Sequence, residues 1–383
     1  MSSSMNANAR GSTKPETPIV RGGARSQAIA GPETLDSPRV SDPPAWRTAG
    51  HRYYPYNFHL RRRFGQRVQK VSVDGGFTCP NVDGAVAVGG CVYCDNRSFS
   101  PSRRVRRRAI LDQIDDGIRR VRLRYDADRF LAYFQPATNT YAPVARLRPL
   151  YEAALGHPRV VGLAIGTRPD CVPDDVLALL AEIAGRTYLS VEYGLQTIHD
   201  RSLDWMNRGH HYDATLDAVA RSRGLGFEIC AHVMLGLPGE SHADMLATAR
   251  EVARLDFDAV KIHNLYAVRN TPLADQVSRG DVRLMERDEY IAVLIDFLEL
   301  LPPRCVVERV IGDAPPDYLV GPSWCLEKPA ARAAIDAEMR RRDAWQGRLW
   351  APAADSGAVD VPAAPSSDGG SLPDSNVGTD PGR

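Results

Sequence analysis

The chain has 383 residues, of which 43% are hydrophobic, and its formal net charge is +1. This length allows one large domain or two small ones, and the near-zero charge gives no global attraction to nucleic acid or to a membrane surface. The seven cysteines are odd in number and unevenly spread, which argues against a disulfide framework and suits a reducing cytosol. No apolar run reaches the roughly 20 residues that span a bilayer, and the first residues lack the apolar core of a secretory signal. We therefore expect a cytoplasmic protein without a membrane segment.

The two ends of the chain differ in composition from its middle. Residues 1–45 and 351–383 are rich in Ser, Gly, Pro and Ala and show no hydrophobic period. Such segments bury too little apolar surface to offset the entropy cost of ordering. We expect two disordered tails around a folded body at about 46–350, with a core at about 65–300 and a C-terminal extension at about 301–350.

Within the body, short β-branched and aromatic runs alternate with segments of helical period. The predicted strands are Arg67–Val73, Phe130–Phe134, Val160–Ile165, Tyr188–Tyr193, Phe227–Met234, Ala259–Leu265 and Val306–Ile311. The predicted helices are Ile110–Val121, Arg146–Ala154, Asp174–Ile183, Tyr212–Arg223, Ala243–Leu255 and Asp288–Leu300. Repeated β-then-α order indicates parallel strands joined by right-handed crossovers. Six such units, or slightly more, predict an α/β fold, an incomplete (β/α)6-type TIM barrel, whose functional residues follow the C-terminal ends of the strands.

The loop after the first predicted strand carries Cys79, Cys91 and Cys94 with C-x11-C-x2-C spacing. Structural zinc sites and ordinary electron-transfer iron–sulfur clusters normally have four protein ligands, whereas this loop supplies three thiolates. Three cysteines can hold three irons of a [4Fe–4S] cluster and leave the fourth iron open for chemistry. The alternative is a zinc site completed by a histidine or by Cys325. The loop by itself leaves both interpretations open.

Polar residues follow the second and third predicted strands. Gln135, Thr138 and Asn139 come directly after an apolar strand, where they form either a hydrogen-bonded turn or a polar wall around a ligand. Arg168 precedes a proline and is therefore held extended, so that its guanidinium can aim inward at a carboxylate. The alternative for Arg168 is a surface salt bridge with Asp170.

The later strands carry further candidates. Glu192 and Gln196 lie in a stretch that should be buried, where a carboxylate needs a partner such as a ribose hydroxyl or a buried arginine. Gly236 and Gly239 allow the backbone to approach a ligand closely, although a plain tight turn explains them nearly as well. His263 can reach the mouth of the barrel, but a lone histidine is more often a structural residue.

Several of these segments resemble motifs of the radical S-adenosylmethionine (SAM) enzymes, in the branch that includes the Elongator catalytic subunit and the oxygen-independent coproporphyrinogen dehydrogenase. The matching segments are the cysteine loop, GTRPDC (166–171), VEYGLQT (191–197), MNRGH (206–210) and MLGLPGE (234–240). The more specific resemblance is to the bacterial YhcC-type family, in RVQKVSVDGGFTCPN, YFQPATNTYAP, KIHNLYAVRNTPLA and ERVIGDAPPDYLVGPSW. It covers about residues 50–345, essentially the whole folded body. The first cysteine gap is longer than the usual one, as it also is in the Elongator-like branch.

The resemblance implies a [4Fe–4S] cluster on Cys79, Cys91 and Cys94 and SAM as cosubstrate. Reductive cleavage of SAM would give a 5′-deoxyadenosyl radical that abstracts hydrogen from an unidentified substrate. The aromatic residue before the last cysteine, here Tyr93, would border the adenine. The remaining candidates for contact with SAM are Gln135, Thr138, Asn139, Arg168, Glu192, Gln196, Gly236 and Gly239. A low-potential electron donor, flavodoxin or ferredoxin, is implied by the family alone.

Two basic runs, both of which we expect to flank the site, suggest a substrate class. The first holds Arg47, Arg52, Arg61, Arg62, Arg63, Arg67 and Lys70 between aromatic residues, and the second holds Arg103, Arg104, Arg106, Arg107 and Arg108. Positive charge with stacking aromatics is typical of RNA binding, and relatives in this branch act on tRNA, so tRNA is a candidate substrate. The alternatives are ordinary arginine-rich helix starts or a small anionic substrate.

Two other classes of function stay open at this point. One is a non-catalytic iron–sulfur or SAM-binding protein, such as a redox sensor, and the other is a zinc-binding barrel protein. The four remaining cysteines lie singly, and we expect buried or incidental thiols there unless one is catalytic or an extra ligand. They are Cys171, Cys230, Cys305 and Cys325.

Overall fold

The frame of the molecule is a seven-stranded sheet in which every strand pair is parallel. The computed structural model describes residues 43–104 and 107–352. Its strands are β1 (Val68–Val73), β2 (Arg129–Phe134), β3 (Val160–Thr167), β4 (Tyr188–Gln196), β5 (Glu228–Leu235), β6 (Ala259–Asn264), β7 (Ala267–Val268), β8 (Val306–Arg309) and β9 (Leu319–Gly321). The large sheet has the order β1-β2-β3-β4-β5-β6-β8, so its strands are arranged in the order in which they follow along the chain, with β7 left to a second sheet. This order is that of a curled, incomplete barrel and confirms the predicted fold class.

Helices follow the strands as the sequence periods predicted. They are α1 (Ala45–Thr48), α2 (Tyr56–Phe64), α3 (Asn96–Phe99), α4 (Ile110–Arg122), α5 (Val144–Leu155), α6 (Asp174–Ala184), α7 (Asp200–Trp205), α8 (Tyr212–Ser222), α9 (His242–Arg254), α10 (Pro272–Arg279), α11 (Arg287–Leu300) and α12 (Lys328–Arg341). The crossover helices α4, α5, α6, α8, α9 and α11 correspond to the six predicted ones. None of the helices in the described ranges is long and apolar enough to cross a membrane.

Residues along each strand alternate between two environments. Val191, Tyr193 and Leu195 of β4 belong to the main hydrophobic core between the sheet and the outer helices. Glu192 and Gln196 of the same strand line the barrel interior. Because successive side chains of a strand point to opposite faces, one strand supplies both the core and the interior. The polar residues within these apolar strands are therefore the ones that face the interior.

The barrel interior is apolar at its base. Leu60 of α2 is 1% exposed and packs with Val68, Leu131 and Tyr188, which lie at or near the starts of their strands. Strand β8 meets the segment before α2 through a hydrogen bond of 2.8 Å from the Val307 amide to the Tyr54 carbonyl. Helix α2 therefore closes the end of the barrel that lies opposite the C-terminal ends of the strands.

The chain beyond β8 forms an extension packed against the barrel. Strands β7 and β9 pair antiparallel in a small second sheet, and α12 packs on α11. Ala331, Ile335 and Met339 give α12 its buried face. The predicted domain bounds stay predictions, and of the two predicted tails residues 1–42 and 353–383 lie outside the described residues.

Candidate functional site

A cavity of about 240 Å³ opens at the C-terminal ends of the strands. Its wall is built from the cysteine loop and from residues of β2, β3, β4, β5, β6 and β8. Cys79, Cys91 and Cys94 all line it, and none of them forms a disulfide. The three cysteines, which span 15 residues of the sequence, therefore share one cavity. This cavity lies at the end of the barrel where such folds carry their functional residues.

Backbone hydrogen bonds hold the cysteine loop to two neighbouring loops. The Val92 amide donates to the Met206 carbonyl at 3.0 Å, and the Leu273 amide donates to the Val92 carbonyl at 2.9 Å. The Asn207 side-chain amide donates to the Gly90 carbonyl at 2.9 Å. Because these contacts fix the backbone on both sides of Cys91, the loop is shaped before any ligand binds.

Two side chains direct N–H groups at the Cys91 sulfur. The Asn81 Nδ2 atom lies 3.5 Å from Cys91 Sγ, and an Arg208 guanidinium nitrogen lies 3.6 Å from it. Arg208 is 7% exposed and also donates to the Gly194 carbonyl at 2.9 Å. Arg208 therefore places a buried cation beside the Cys91 sulfur.

The donor set fits an iron–sulfur cluster. Burial, and after it the neighbouring Cys91 and Cys79, raise the pKa of the Cys94 thiol to about 12. A bound metal takes the place of the proton on such a thiol, and thiolates are the usual ligands of iron–sulfur clusters. In the described ranges, no three His, Cys, Asp or Glu side chains converge on a single metal ion. The three sulfurs are instead arranged around the cavity wall.

Arg168 joins three parts of the site. It is 2% exposed and donates to both carboxylate oxygens of Asp170, at 2.9 and 2.7 Å. It also donates to Asn81 Oδ1 at 2.5 Å and to the Arg208 carbonyl at 2.7 Å. The predicted pairing with Asp170 is present, with the Arg168 side chain buried and Asp170 at the surface. Through Asn81, Arg168 positions the cysteine loop against the loop that carries Arg208.

Most of the other predicted contacts with SAM also line the cavity. Lining residues are Tyr93, Gln135, Thr138, Arg168, Glu192 and Gln196. Burial, the neighbouring Cys91 and other causes raise the pKa of the Tyr93 hydroxyl well above its usual range, so this residue is a neutral aromatic beside the cysteines. A neutral ring at this position is compatible with stacking against a flat base.

Three of the predicted residues lie away from the cavity wall. Asn139 is fully buried and donates to the Phe134 and Gly166 carbonyls at 3.0 and 2.8 Å, which joins the ends of β2 and β3. Gly236 and Gly239 have φ values of +86° and +80°, which glycine adopts without strain. Their geometry is that of the tight turn considered as the alternative, and their contact with SAM stays a prediction.

The cavity borders a set of charges that we call the ionic layer, formed by Lys70, Glu192, Lys261 and Glu308, of which Glu192 and Lys261 line the cavity. Lys70 Nζ lies 2.6 Å from a carboxylate oxygen of Glu192 and 2.6 Å from one of Glu308. Lys261 Nζ also pairs with Glu192 and lies 3.2 Å from Glu308. The four side chains come from β1, β4, β6 and β8, so the layer ties the two edges of the sheet to its centre.

The charges of the ionic layer balance. Burial raises the pKa of Glu192, but the two lysines and His232 outweigh burial and hold that pKa well below its usual range. His232 donates toward Glu192 Oε2 at 2.8 Å, while its burial lowers its pKa, so it adds no cation at neutral pH. Glu192 therefore fits the alternative of a buried ion pair, with lysines in place of an arginine. Its contact with a ribose stays a prediction.

Sequence reasoning missed several of these residues. Arg208 and Asn81 lie in or beside quoted motifs, and their polarity within buried loops was the available signal. Lys70 was assigned to a surface basic run, although its position in an apolar strand predicts an interior side chain. Glu308 and Arg309 lie in the last strand motif, to which no role was given.

The structure corrects the location of the first basic run. Arg61, Arg62 and Arg63 belong to α2, which closes the base of the barrel, so they lie at the end opposite the cysteines. Lys70 is in the ionic layer. The prediction that this run flanks the site was therefore wrong, because helix α2 precedes β1 and packs where the strands begin.

The second basic run does lie beside the cysteine loop. Arg103 donates to the Phe77 carbonyl at 2.7 Å and pairs with Asp74 at 2.9 Å. Arg104 donates to the Ser98 carbonyl at 2.9 Å. Arg106 lies outside the described residues. These arginines brace the loop, which accounts for part of the run without a nucleic acid.

The remaining cysteines are buried and none of them lines the cavity. Burial raises the pKa of Cys171 and of Cys325 to about 12 in each case. Cys230 and Cys305 lie in apolar surroundings, where burial also raises their pKa values. These properties are those of inert structural thiols.

Comparison with known proteins agrees with this geometry. The family model for the radical SAM superfamily matches residues 87–252, and that for the radical SAM C-terminal domain matches residues 257–341. YtqA of Bacillus subtilis is 40% identical over 299 residues, which cover 78% of this chain and 93% of YtqA. YhcC of Escherichia coli is 35% identical over 297 residues, which cover 76% and 95% of the two chains.

More distant similarity extends to Elongator-like proteins. A tRNA uridine(34) acetyltransferase of Methanocaldococcus jannaschii is 29% identical over 166 residues, covering 42% of this chain and 30% of that protein. The solved structure of an Elp3 from Methanocaldococcus infernus superposes with a TM-score of 0.56 at 18% identity, covering 73% and 64% of the two chains. The near full-length likeness to YtqA and YhcC, together with the matched family models, shows that this chain belongs to the radical SAM superfamily and is an enzyme of that class.

Proposed function

We propose that Cys79, Cys91 and Cys94 hold a [4Fe–4S] cluster through three of its irons and that SAM binds beside it in the cavity. Membership in the family implies both groups, and the observation that carries the assignment to these residues is their common position on the wall of one cavity. Bound and reduced, such a cluster would supply the one electron for cleavage of SAM to methionine and a 5′-deoxyadenosyl radical, the species that would abstract hydrogen from the substrate.

The protein's own part in this reaction would be to hold the cluster and SAM in place and to shield them from water. Asn81 and Arg208 donate to the Cys91 sulfur, and such partners orient a ligand toward the group that it binds. Tyr93 offers a neutral ring to the adenine, and Gln135 and Thr138 offer hydrogen-bond groups on the wall formed after β2. Positioning of this kind accelerates a reaction by fixing the reacting atoms and excluding water.

A catalytic enzyme explains the cavity better than a SAM-binding sensor does. A sensor needs residues for the cluster and for SAM only, yet the cavity continues past the cysteines to Tyr133, His263 and Arg309 on other strands. A zinc protein would need one tetrahedral set of ligands, and such a set requires side chains that converge on one point. Space and polar groups beyond the cluster support a substrate site.

The test is SAM cleavage by anaerobically reconstituted protein reduced with dithionite, with 5′-deoxyadenosine as the readout. Cys91→Ala removes one proposed ligand, and Cys305→Ala is the matched control because its thiol is buried away from the cavity. We expect 5′-deoxyadenosine from the wild type and the control and none from Cys91→Ala. Equal cleavage in all three proteins would contradict the assignment, and a colourless zinc protein would support the zinc alternative.

tRNA is the substrate that we propose to test first. The support is that a relative matching 42% of this chain is named a tRNA uridine(34) acetyltransferase, and that Arg104 and Arg107 lie near the cysteine loop. The basic run on α2 does not add to this support, because it lies at the base of the barrel. Total tRNA should raise the rate of 5′-deoxyadenosine formation, and prior ribonuclease treatment should abolish that increase.

We also propose a flavodoxin or a ferredoxin as the physiological electron donor. The support is the need of the family's cluster for a low-potential electron. Replacing dithionite with reduced flavodoxin or ferredoxin should sustain 5′-deoxyadenosine formation. Failure of both donors with an active cluster would contradict this proposal and leave the assignment of the cysteines unaffected.

A further inference from the structure

One guanidinium on the cavity wall has no acceptor. The arginines and lysines in the described ranges that line the cavity are Arg168, Arg208, Lys261 and Arg309. The first three donate to carboxylates, carbonyls or Cys91, as described above. The side chain of Arg309, at the end of β8, makes no hydrogen bond and no ion pair with any residue in the described ranges, although it is only partly exposed. Its guanidinium therefore has five N–H donors available to a ligand in the cavity.

His263 lies on the neighbouring strand β6 and also lines the cavity. Its Nε2 atom is buried and has no partner in the described part of the chain. Burial and then the charge of Arg309 lower its pKa well below the usual value, so the ring is neutral and its nitrogens are one donor and one acceptor. Arg309 and His263 thus lie on neighbouring strands of the same cavity wall.

The position of His263 is fixed by its surroundings. A Cβ atom placed on Gly312 would lie 2.9 Å from the Tyr266 ring and 3.1 Å from His263 Nδ1. The Gly312 amide donates to Asn264 Oδ1 at 2.9 Å, which holds this backbone close to β6. The glycine therefore allows the last strand motif to approach β6, and the approach orients His263 and Tyr266.

The charge balance of the region leaves Arg309 uncompensated. The ionic layer beneath it holds two lysines against two glutamates and is neutral by itself. His232 and His263 carry no charge at neutral pH, because burial lowers the pKa of each. Asp313, another carboxylate nearby in sequence, pairs with Lys328. One positive charge therefore remains on this wall of the cavity.

We propose that Arg309 and His263 form a binding subsite for an oxyanion of the substrate, either a phosphate or a carboxylate. The inference rests on the proposed function, since it concerns the substrate of that same cavity. The planar guanidinium offers the two parallel N–H groups that match two oxygens of either anion. His263 Nε2 supplies a further hydrogen bond from the adjacent strand. The carboxylate of SAM is the competing occupant, and the test separates it.

The experiment measures anion binding to the reconstituted holoprotein at constant ionic strength, with inorganic phosphate and acetate as probes. Ligand binding to the folded state raises the melting temperature, and the rise grows with the logarithm of the ligand concentration once that concentration exceeds the dissociation constant. The variants are Arg309→Gln and His263→Phe, and the control is Arg304→Gln. Arg304 precedes the same strand but pairs with Asp256 at the protein surface, away from the cavity.

We expect at least one probe to raise the melting temperature of the wild type and of Arg304→Gln with the logarithmic concentration dependence of binding at one site. The dissociation constant fitted to this dependence should be at least tenfold weaker for Arg309→Gln. A response to phosphate alone indicates a phosphate-bearing substrate, and a response to acetate indicates a carboxylate. If Arg309→Gln fails to fold, His263→Phe decides by the same comparison, because it keeps a planar ring. No response of the wild type to either probe, or an unchanged response in the variants, would overturn the proposal.

A second readout separates the substrate from SAM. Arg309→Gln should keep its cluster and the change that SAM causes in the EPR spectrum of the reduced cluster. Loss of that change in a variant with a full cluster would mean that Arg309 serves SAM, and the proposal would be wrong. Because neither readout needs turnover, a failure here is distinguishable from a failure to form 5′-deoxyadenosine.

Discussion

Glu192→Gln is expected to be one of the most destabilising isosteric changes in this chain. Glu192 is 1% exposed, and its carboxylate contacts Lys70 at 2.6 Å, Lys261, and His232 at 2.8 Å. The amide keeps the volume but removes one of the two negative charges that balance the two lysines. Removing one partner of a buried ion pair typically costs about 3–5 kcal/mol, because the other charge stays buried. At roughly 2–4 °C per kcal/mol, this predicts a fall in melting temperature of roughly 6–20 °C.

The assay is thermal unfolding of the anaerobic holoprotein followed by circular dichroism at 222 nm. Glu182→Gln is the matched control, since Glu182 forms its pair with Arg148 at the surface, where both side chains are about half exposed, and we expect little change. Adding Lys70→Met to Glu192→Gln should restore part of the stability, because Lys261 and Glu308 then balance each other. A melting temperature for Glu192→Gln as high as that of the control would refute the reasoning.

The same network predicts a pH dependence. The lysines hold the pKa of Glu192 well below its usual range in spite of burial, which by itself raises it. In the unfolded chain this carboxyl titrates near about 4.3. Because the folded pKa is the lower one, the stabilisation is fully present above about pH 5 and is lost as the pH falls through the folded value. The difference in melting temperature between wild type and Glu192→Gln should therefore be constant near neutral pH and shrink below about pH 4.

Three further predictions concern the cysteine loop and the base of the barrel. Arg208→Gln removes a donor to Cys91 and should lower the iron retained per chain after gel filtration; unchanged iron would show that the guanidinium is dispensable. Gly194→Ala would place a Cβ atom 2.5 Å from the Arg208 guanidinium and displace it. We expect slower 5′-deoxyadenosine formation and a nearly normal melting temperature. Normal activity would count against this packing. Leu60→Ala should lower the free energy of unfolding, measured by urea titration, by about 2–5 kcal/mol. Leu111 is 45% exposed, so Leu111→Ala should lower it much less. Equal losses in the two variants would mean that α2 does not close the barrel.

The strand order could be predicted because short apolar runs alternate with segments of helical hydrophobic period along the sequence. Apolar runs such as Val160–Ile165, separated by helical periods, give parallel neighbours, and the structure has them within three residues of the predicted bounds. The helix α2 was missed because its residues, YNFHLRRRF, show a basic surface more clearly than an amphipathic period. Tertiary packing against Val68 and Tyr188 gives it its place.

The cysteines and most predicted contacts with SAM were found because strand ends converge in a parallel barrel. The ionic layer was not found, because no local pattern says that Lys70 and Glu308, 238 residues apart, meet in one interior. The alternation of β4 did carry a signal, since Glu192 lies between Val191 and Tyr193 of the outer core. Such a charge inside a buried strand predicts a partner of opposite charge. Which residue serves as that partner depends on how the curled sheet brings distant strands together.

The most direct test of the central claim is the EPR spectrum of the reduced, reconstituted protein recorded with and without SAM. Three cysteine ligands leave one iron open, so SAM should bind that iron and shift the spectrum of a [4Fe–4S]⁺ cluster in the wild type. Cys305→Ala should show the same shift. A fully loaded cluster whose spectrum does not change at saturating SAM would contradict the claim that Cys79, Cys91 and Cys94 hold a cluster with an open iron.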